Sequence, residues 1–202
     1  MKICLPNLYL SEGDMIFLLS KVLKSWTEIP LSPFSGYDKD VLKFYDGFLG
    51  TLIHQTEEVL KEWPEYGNDD FIKPWKYQGK LYRVLHECPH EDHRCIDGYR
   101  MELPKVDYHR MISHWTDDYS FEGLMYKLSS KTQCVILEAN TGDHIGFDVN
   151  GFRNAFGCAE HFTEGEREII FPMYKECIKE YRMTIEEFTK MKLQESNIQK
   201  SD

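Results

Sequence analysis

The chain has 202 residues, 42% of them hydrophobic and 14% aromatic, enough for one sizeable core and too apolar for a disordered chain. Lys and Arg number 24 against 34 Asp and Glu, a formal net charge of −10. That balance excludes a protein that grips a nucleic-acid backbone over a broad basic surface, although a local basic groove is still compatible with it.

No stretch is apolar for long enough to span a bilayer, and residues 1–6 lack the apolar core of a signal peptide. Six cysteines (Cys4, Cys88, Cys95, Cys134, Cys158, Cys177) are scattered along the chain, which reads as free thiols in the cytosol. A protein exported by a signal-independent route would look the same.

Residues 11–26 read as a helix, with Glu12 and Asp14 in the first turn. Its apolar stripe is Met15, Leu18, Leu19, Val22, Leu23 and Trp26. Pro30 and Pro33 then break the chain. A second stripe over residues 38–63 runs Val41, Phe44, Tyr45, Phe48, Leu52, Val59, Leu60 and Trp63, with Gly47 and Gly50 as points of interruption or bending. Its aromatic residues read as core.

Near residue 75 the pattern changes to strands. Residues 80–86 form one, with Leu81, Arg83 and Leu85 on one face. Residues 133–140 form a second, closed by Thr141-Gly142-Asp143, and residues 166–171 a third. Residues 177–182 are a candidate fourth. Thr184 with Glu187 is a capping-box pattern that opens a helix over 185–193, and residues 194–202 read as a polar, frayed tail.

Three segments are candidates for chemistry. Arg83 lies inside the strand Leu81-Tyr82-Arg83-Val84, where an arginine needs an anionic partner; taken alone, it reads as half of an internal salt bridge. The second segment is Ile112-Ser113-His114-Trp115-Thr116-Asp117-Asp118. The third is Glu166-Arg167-Glu168-Ile169-Ile170-Phe171-Pro172. In a strand, Glu166 and Glu168 share one face, a costly arrangement for carboxylates without a role.

In order and spacing these segments resemble the ADP-ribosyltransferases of the R-S-E type, over roughly residues 77–182. That family carries an arginine on an early strand, a Ser-aromatic-Ser/Thr motif on a middle strand and Glu/Gln-x-Glu on a late strand. Arg83, Trp115-Thr116 and Glu166-x-Glu168 fit those positions, and Val149-Asn150-Gly151-Phe152 is similar to the connection before the late strand. One position departs. His114 stands where the family has its first serine, and Ser113 is one residue early, so either His114 replaces the serine or a bulge brings Ser113 round.

The resemblance implies an α+β fold, an ADP-ribosyltransferase-like split β-sandwich core preceded by an N-terminal helical region. The corresponding division is a helical region over 1–75, a catalytic domain over 76–193 and a tail over 194–202. NAD+ is the implied co-substrate, with no metal required. Glu168 would stabilise positive charge on the NAD ribose, Glu166 would orient or deprotonate the acceptor, and Arg83 would pair with an NAD phosphate or ribose. Ser113, His114 and Thr116 would complete the NAD site, and Trp115 would pack near nicotinamide or in the core. Residues 151–165 would form the loop that meets the acceptor, with Phe156 and Phe162 as contacts or as aromatics docked on the core.

A glutamate at position 166 resembles family members that modify arginine, so a protein acceptor is favoured over RNA or DNA bases, and the acidic chain suits a basic partner. A catalytically inactive binding module of the same fold is the alternative. The role implied is a toxin, a phage-defence component or a phage-encoded modifier of host proteins, with an antitoxin or inhibitor protein as a partner and no membrane. Cys88, His90, His93 and Cys95 could bind zinc, but their spacing is tighter than in zinc modules, and a solvated loop with free thiols is the favoured reading. No P-loop, zinc-protease helix or GxGxxG motif is present.

Overall fold

Apolar residues recurring every three or four positions build helices in the first part of the chain, and alternating ones build short antiparallel strands in the rest. A computed structural model describes residues 3–5, 8–28, 39–85, 105–106, 108, 113–119, 133–157 and 167–199. Strands β1 (Ile3–Leu5) and β2 (Leu8–Leu10) pair as a hairpin that the sequence pattern did not suggest. At three residues each, they are too short for alternation to register.

Helix α1 spans Glu12–Glu28 and opens on a reciprocal cap: Asp14 N donates to Ser11 Oγ (3.2 Å), and Ser11 N donates to Asp14 Oδ2 (3.2 Å). Helix α2 spans Lys39–Glu62 and runs unbroken through Gly47 and Gly50. Packing of its apolar face against the core outweighs the weak helix preference of two glycines. A short 3-10 turn, Pro64–Asn68, follows.

Strands β3 (Lys76–Tyr77), β7 (Gly146–Asp148), β8 (Ile169–Phe171) and β5 (Ser113–Trp115) form one antiparallel sheet in the order β3-β7-β8-β5. Strands β4 (Lys80–Leu85), β6 (Gln133–Asn140) and β9 (Ile178–Thr184) form a second, in the order β4-β6-β9. Helix α3 (Val149–Phe156) follows β7 directly, and helix α4 (Ile185–Gln199) follows β9. The fold is thus α+β, with helices and two antiparallel sheets.

Three apolar clusters order the layers. Met15, Leu19 and Leu23 of α1, Phe48, Leu49, Leu52 and Ile53 of α2, and Phe152 of α3 pack with Trp75, Phe147 and Ile170 on one side of the four-stranded sheet. Trp115, Ile169 and Phe171, on its other side, meet Leu81, Val135, Leu137 and Ala139 of the three-stranded sheet. Cys134 and Ile136, on the far side of β6, meet Ile185 and Phe188 of α4. Strand β6 is therefore covered on both faces, which explains why it reads as a continuous apolar run.

Buried Glu57 ties α2 to the turn before β7. Its Oε1 accepts from Ile145 N (3.0 Å), and its Oε2 lies 3.3 Å from His144 Nδ1. His144 stacks on Tyr174 with ring centroids 3.9 Å apart. Burial, reinforced by the Glu57 charge, pushes the Tyr174 phenol up to about 12.

Several expected boundaries move. The third strand starts at Ile169 instead of Glu166, because β7 turns into α3 at Val149 and β5 leaves the sheet after Trp115, so β8 loses both neighbours there. Strand β9 runs to Thr184 instead of Arg182, paired along β6 as far as Gln133. The last helix forms its capping box, with Thr184 N donating to Glu187 Oε2 (2.9 Å), but continues to Gln199 instead of ending at Leu193. Ion pairs Lys190–Glu186 and Lys192–Glu195, four and three residues apart, support its polar continuation. Val149–Phe152, read as the connection before the late strand, is the first turn of α3, capped by Asp148 Oδ1 on Gly151 N (2.8 Å).

Among the described residues, no helix is long and apolar enough to cross a membrane.

Candidate functional site

Strands β4 and β5 lie at the edges of different sheets, and the chain stitches these edges together just past β5. Tyr82 N donates to Thr116 O (2.7 Å) and Thr116 N donates to Tyr82 O (2.9 Å). Backbone polar groups of residues two apart in a strand point the same way, so the His114 carbonyl also faces β4. Arg83 Nη1 donates to that carbonyl at 2.9 Å. The arginine expected to need an anion is thus held, in part, by a backbone oxygen.

On the other side β5 pairs with β8, placing Ser113 opposite Phe171, His114 opposite Ile170 and Trp115 opposite Ile169. Trp115 and Ile169 point between the sheets, so the pleat sends His114 and Glu168 to the opposite face. There they are diagonal neighbours across the strand pair, a spacing of about 7–8 Å that a ring and a glutamate bridge together. His114 Nδ1 meets Glu168 Oε1 in a hydrogen bond. The two side chains are 28% and 22% exposed, which leaves them accessible to a ligand. The Glu168 backbone is fixed as well, its carbonyl accepting from Val149 N (3.1 Å).

Arg83 of β4, His114 of β5 and Glu168, just before β8, are therefore linked in a chain of contacts, Arg83 to the His114 carbonyl and the His114 ring to Glu168. Thr116 adjoins them through its bridge to Tyr82, and its Oγ1 accepts from Asp118 N (3.1 Å). Trp115 is 3% exposed, with Nε1 donating to Phe171 O (3.1 Å) and its ring edge-on to Phe171, so it stands in the core between the sheets. Ser113 holds its backbone place in β5, one residue from the contact. Phe156 sits on α3 against Phe152 and Phe71, with centroids 4.8 and 6.0 Å away, and is half-buried on the core. Glu166, Phe162, Cys88, His90, His93, Cys95 and residues 158–165 lie outside the described residues. Among the described residues, no group of three or more His, Cys, Asp or Glu could hold a metal ion.

Four further charged or phenolic residues surround the approach to β8. Arg167 Nε lies 3.2 Å from Asp117 Oδ1, joining the segment after β5 to the one before β8. Burial, with the nearby Asp117 charge adding to it and Arg167 opposing, pushes the Tyr77 phenol up to about 12. Burial also raises Asp148; Asp117 adds to the rise, while the Gly151 and Asn150 N–H groups and Arg167 pull it back. Tyr77 and Asp148 belong to very short strands and carried no signal in the sequence. Arg167 and Asp117 were inside the two motifs, but only sheet pairing brings them together.

The chain matches no protein-family model, no curated protein and no solved structure.

Proposed function

We infer that the protein is an NAD-dependent mono-ADP-ribosyltransferase that moves ADP-ribose from NAD+ to a macromolecular acceptor. One observation carries this reading: His114 links the residues matched to the first and last of the three ordered motifs, its carbonyl accepting from Arg83 and its ring bonding Glu168. Two antiparallel sheets facing each other across one apolar cluster suit the split β-sandwich that the reading requires. The bond between ribose C1′ and the nicotinamide nitrogen breaks, nicotinamide leaves with the electron pair, and positive charge develops on the ribose. Glu168 stabilises that charge and holds a ribose hydroxyl. Arg83 pairs with an NAD phosphate or ribose oxygen.

The acceptor attacks C1′ as nicotinamide departs, and Glu166 removes its proton; that role follows from the motif. An arginine side chain of a basic protein is the favoured acceptor, with RNA or DNA bases the alternative. Action in the cytosol as a toxin, defence component or phage-encoded modifier, restrained by an antitoxin or inhibitor, fits such chemistry.

A second reading, a binding module without catalysis, draws on the Arg83 donation to a protein carbonyl and on a histidine at the serine position.

Labelled NAD+ incubated with the protein and cell lysate tests both. Label transfer or nicotinamide release that falls at least ~100-fold in Glu168→Gln is expected, the scale of losing one charge-stabilising group. Protease or nuclease digestion of the labelled product then assigns the acceptor. Absence of transfer and hydrolysis, with Glu168→Gln equal to wild type, sinks the transferase reading. Calorimetry then separates a silent NAD-binding module from a chain that does not bind NAD.

A further inference from the structure

We propose that the corner between α2 and the 3-10 turn after it, Glu62-Trp63-Pro64-Glu65-Tyr66, is a docking surface for a cationic segment of a partner protein, with an arginine or lysine side chain seated against the Trp63–Tyr66 pair. Trp63 closes the apolar stripe of residues 38–63 yet stands outside the core. Trp63 and Tyr66 are 48% and 42% exposed, and their rings meet edge to face with centroids 6.3 Å apart. Tryptophan is highly buried on average, so two large rings left together in solvent make a patch, unlike apolar residues exposed singly.

The backbone that carries the rings is fixed. Trp63 N donates to Val59 O (2.8 Å), Tyr66 N to Trp63 O (3.2 Å) and Asp69 N to Tyr66 O (3.0 Å), and Pro64 opens the turn with a locked φ. Gly67 of the same turn is buried, and a Cβ there would lie 2.8 Å from Lys76 Nζ of β3. Rings on such a frame are pre-organised, so a partner that covers them orders little else.

Charge decides the occupant. Glu62 and Glu65 each directly precede one of the rings and are exposed. Lys61, the cation next in sequence, is paired with Glu58 at 2.6 Å. Among the described residues, neither Glu62 nor Glu65 has an ion-pair partner, and no cation lies over either ring. Phe17, the other large exposed ring among them, already has Lys21 Nζ 5.5 Å from its centroid. Unpaired carboxylates beside open aromatic rings attract a guanidinium or ammonium by charge and by the ring quadrupole together. The same carboxylates repel the phosphates of nucleic acid and of anionic lipid, and a second copy of this chain would bring four of them together. Such docking needs no NAD chemistry and stands apart from the transferase reading.

The probe is a synthetic peptide of alternating Arg and Gly, with a Glu-Gly peptide as its control, titrated into the full chain while the assigned Trp63 indole N–H is followed by NMR. The Arg-Gly peptide is expected to shift that resonance and the Glu-Gly peptide to leave it in place. In calorimetry, Kd for the Arg-Gly peptide is expected to rise about 5-fold or more in Trp63→Ser combined with Tyr66→Ser, and similarly in Glu62→Gln combined with Glu65→Gln, with Phe17→Ser unchanged. Binding that survives the loss of both rings is general attraction to an acidic chain and overturns the proposal. A Trp63 resonance that the Arg-Gly peptide leaves unmoved in the wild type overturns it without any variant. A shift driven instead by phosphatidylglycerol vesicles, by a DNA oligonucleotide or by protein concentration alone identifies another occupant and overturns it as well.

Discussion

Lys192→Met exposes how α4 is fastened to the three-stranded sheet. The Lys192 and Glu138 side chains are only 7% and 9% exposed, with Nζ 2.6 Å from Glu138 Oε2 and 2.9 Å from Glu195 Oε2. Tyr181 Oη also donates to Glu138 Oε2 at 3.0 Å. Removing the ammonium leaves the Glu138 charge buried with a single neutral donor, which costs about 3–5 kcal/mol. In a chain of this size each kcal/mol moves Tm by about 2–4 °C, so a fall of roughly 10 °C is expected in a thermal melt.

Burial alone pulls the Lys192 pKa down, but the hydrogen bonds to Glu138 and Glu195 outweigh it and hold the group above its ordinary 10.5. A raised lysine pKa stabilises the fold fully below 10.5, and the gain is lost as pH rises through the folded value. The gap between wild type and variant should therefore be constant around neutral pH and close only in strong alkali. Glu138→Leu combined with Lys192→Met, which removes both charges, should recover most of the loss. A fall of under about 2 °C in the single variant would refute the reasoning, because a truly buried carboxylate cannot lose its cation so cheaply.

Asp148 caps α3 and has its pKa raised chiefly by burial, so stability declines as pH rises from the ordinary 3.8 through the folded value. Asp148→Asn keeps the cap without the buried charge and should equal or exceed wild type in urea melts at pH 7, with any advantage gone by about pH 3. Asp148→Ala should instead lose about 1 kcal/mol with the cap, and an Asn variant no better than the Ala variant at pH 7 would refute this assignment. A Cβ on Gly151 would lie 2.0 Å from Pro74 O, so Gly151→Ala must displace backbone and should destabilise by about 1–3 kcal/mol. A Cβ on Gly47, inside α2, would meet nothing within 4 Å beyond the helix's own backbone, so Gly47→Ala should stabilise by about 0.5–1 kcal/mol; opposite signs in chemical denaturation check the pair.

Periodicity and local motifs determined much of the molecule without its tertiary structure. The stripes of α1 and α2, the eight-residue run of β6, the start of α4 at its capping box and the arginine on β4 each depend on residues close in sequence, whose side chains set the local conformation. Pairing decided the rest. Strand β8 stops at Ile169 because its neighbours leave, and β3 and β7 exist because partners lie beside them.

Which residue of β5 meets Glu168 is decided only in three dimensions. The sequence left Ser113 and His114 as alternatives, and the β5–β8 register puts His114 across a diagonal from Glu168. A one-residue shift in register exchanges faces, so the identity of the residue that meets the carboxylate is a property of strand pairing and is not encoded in either strand alone.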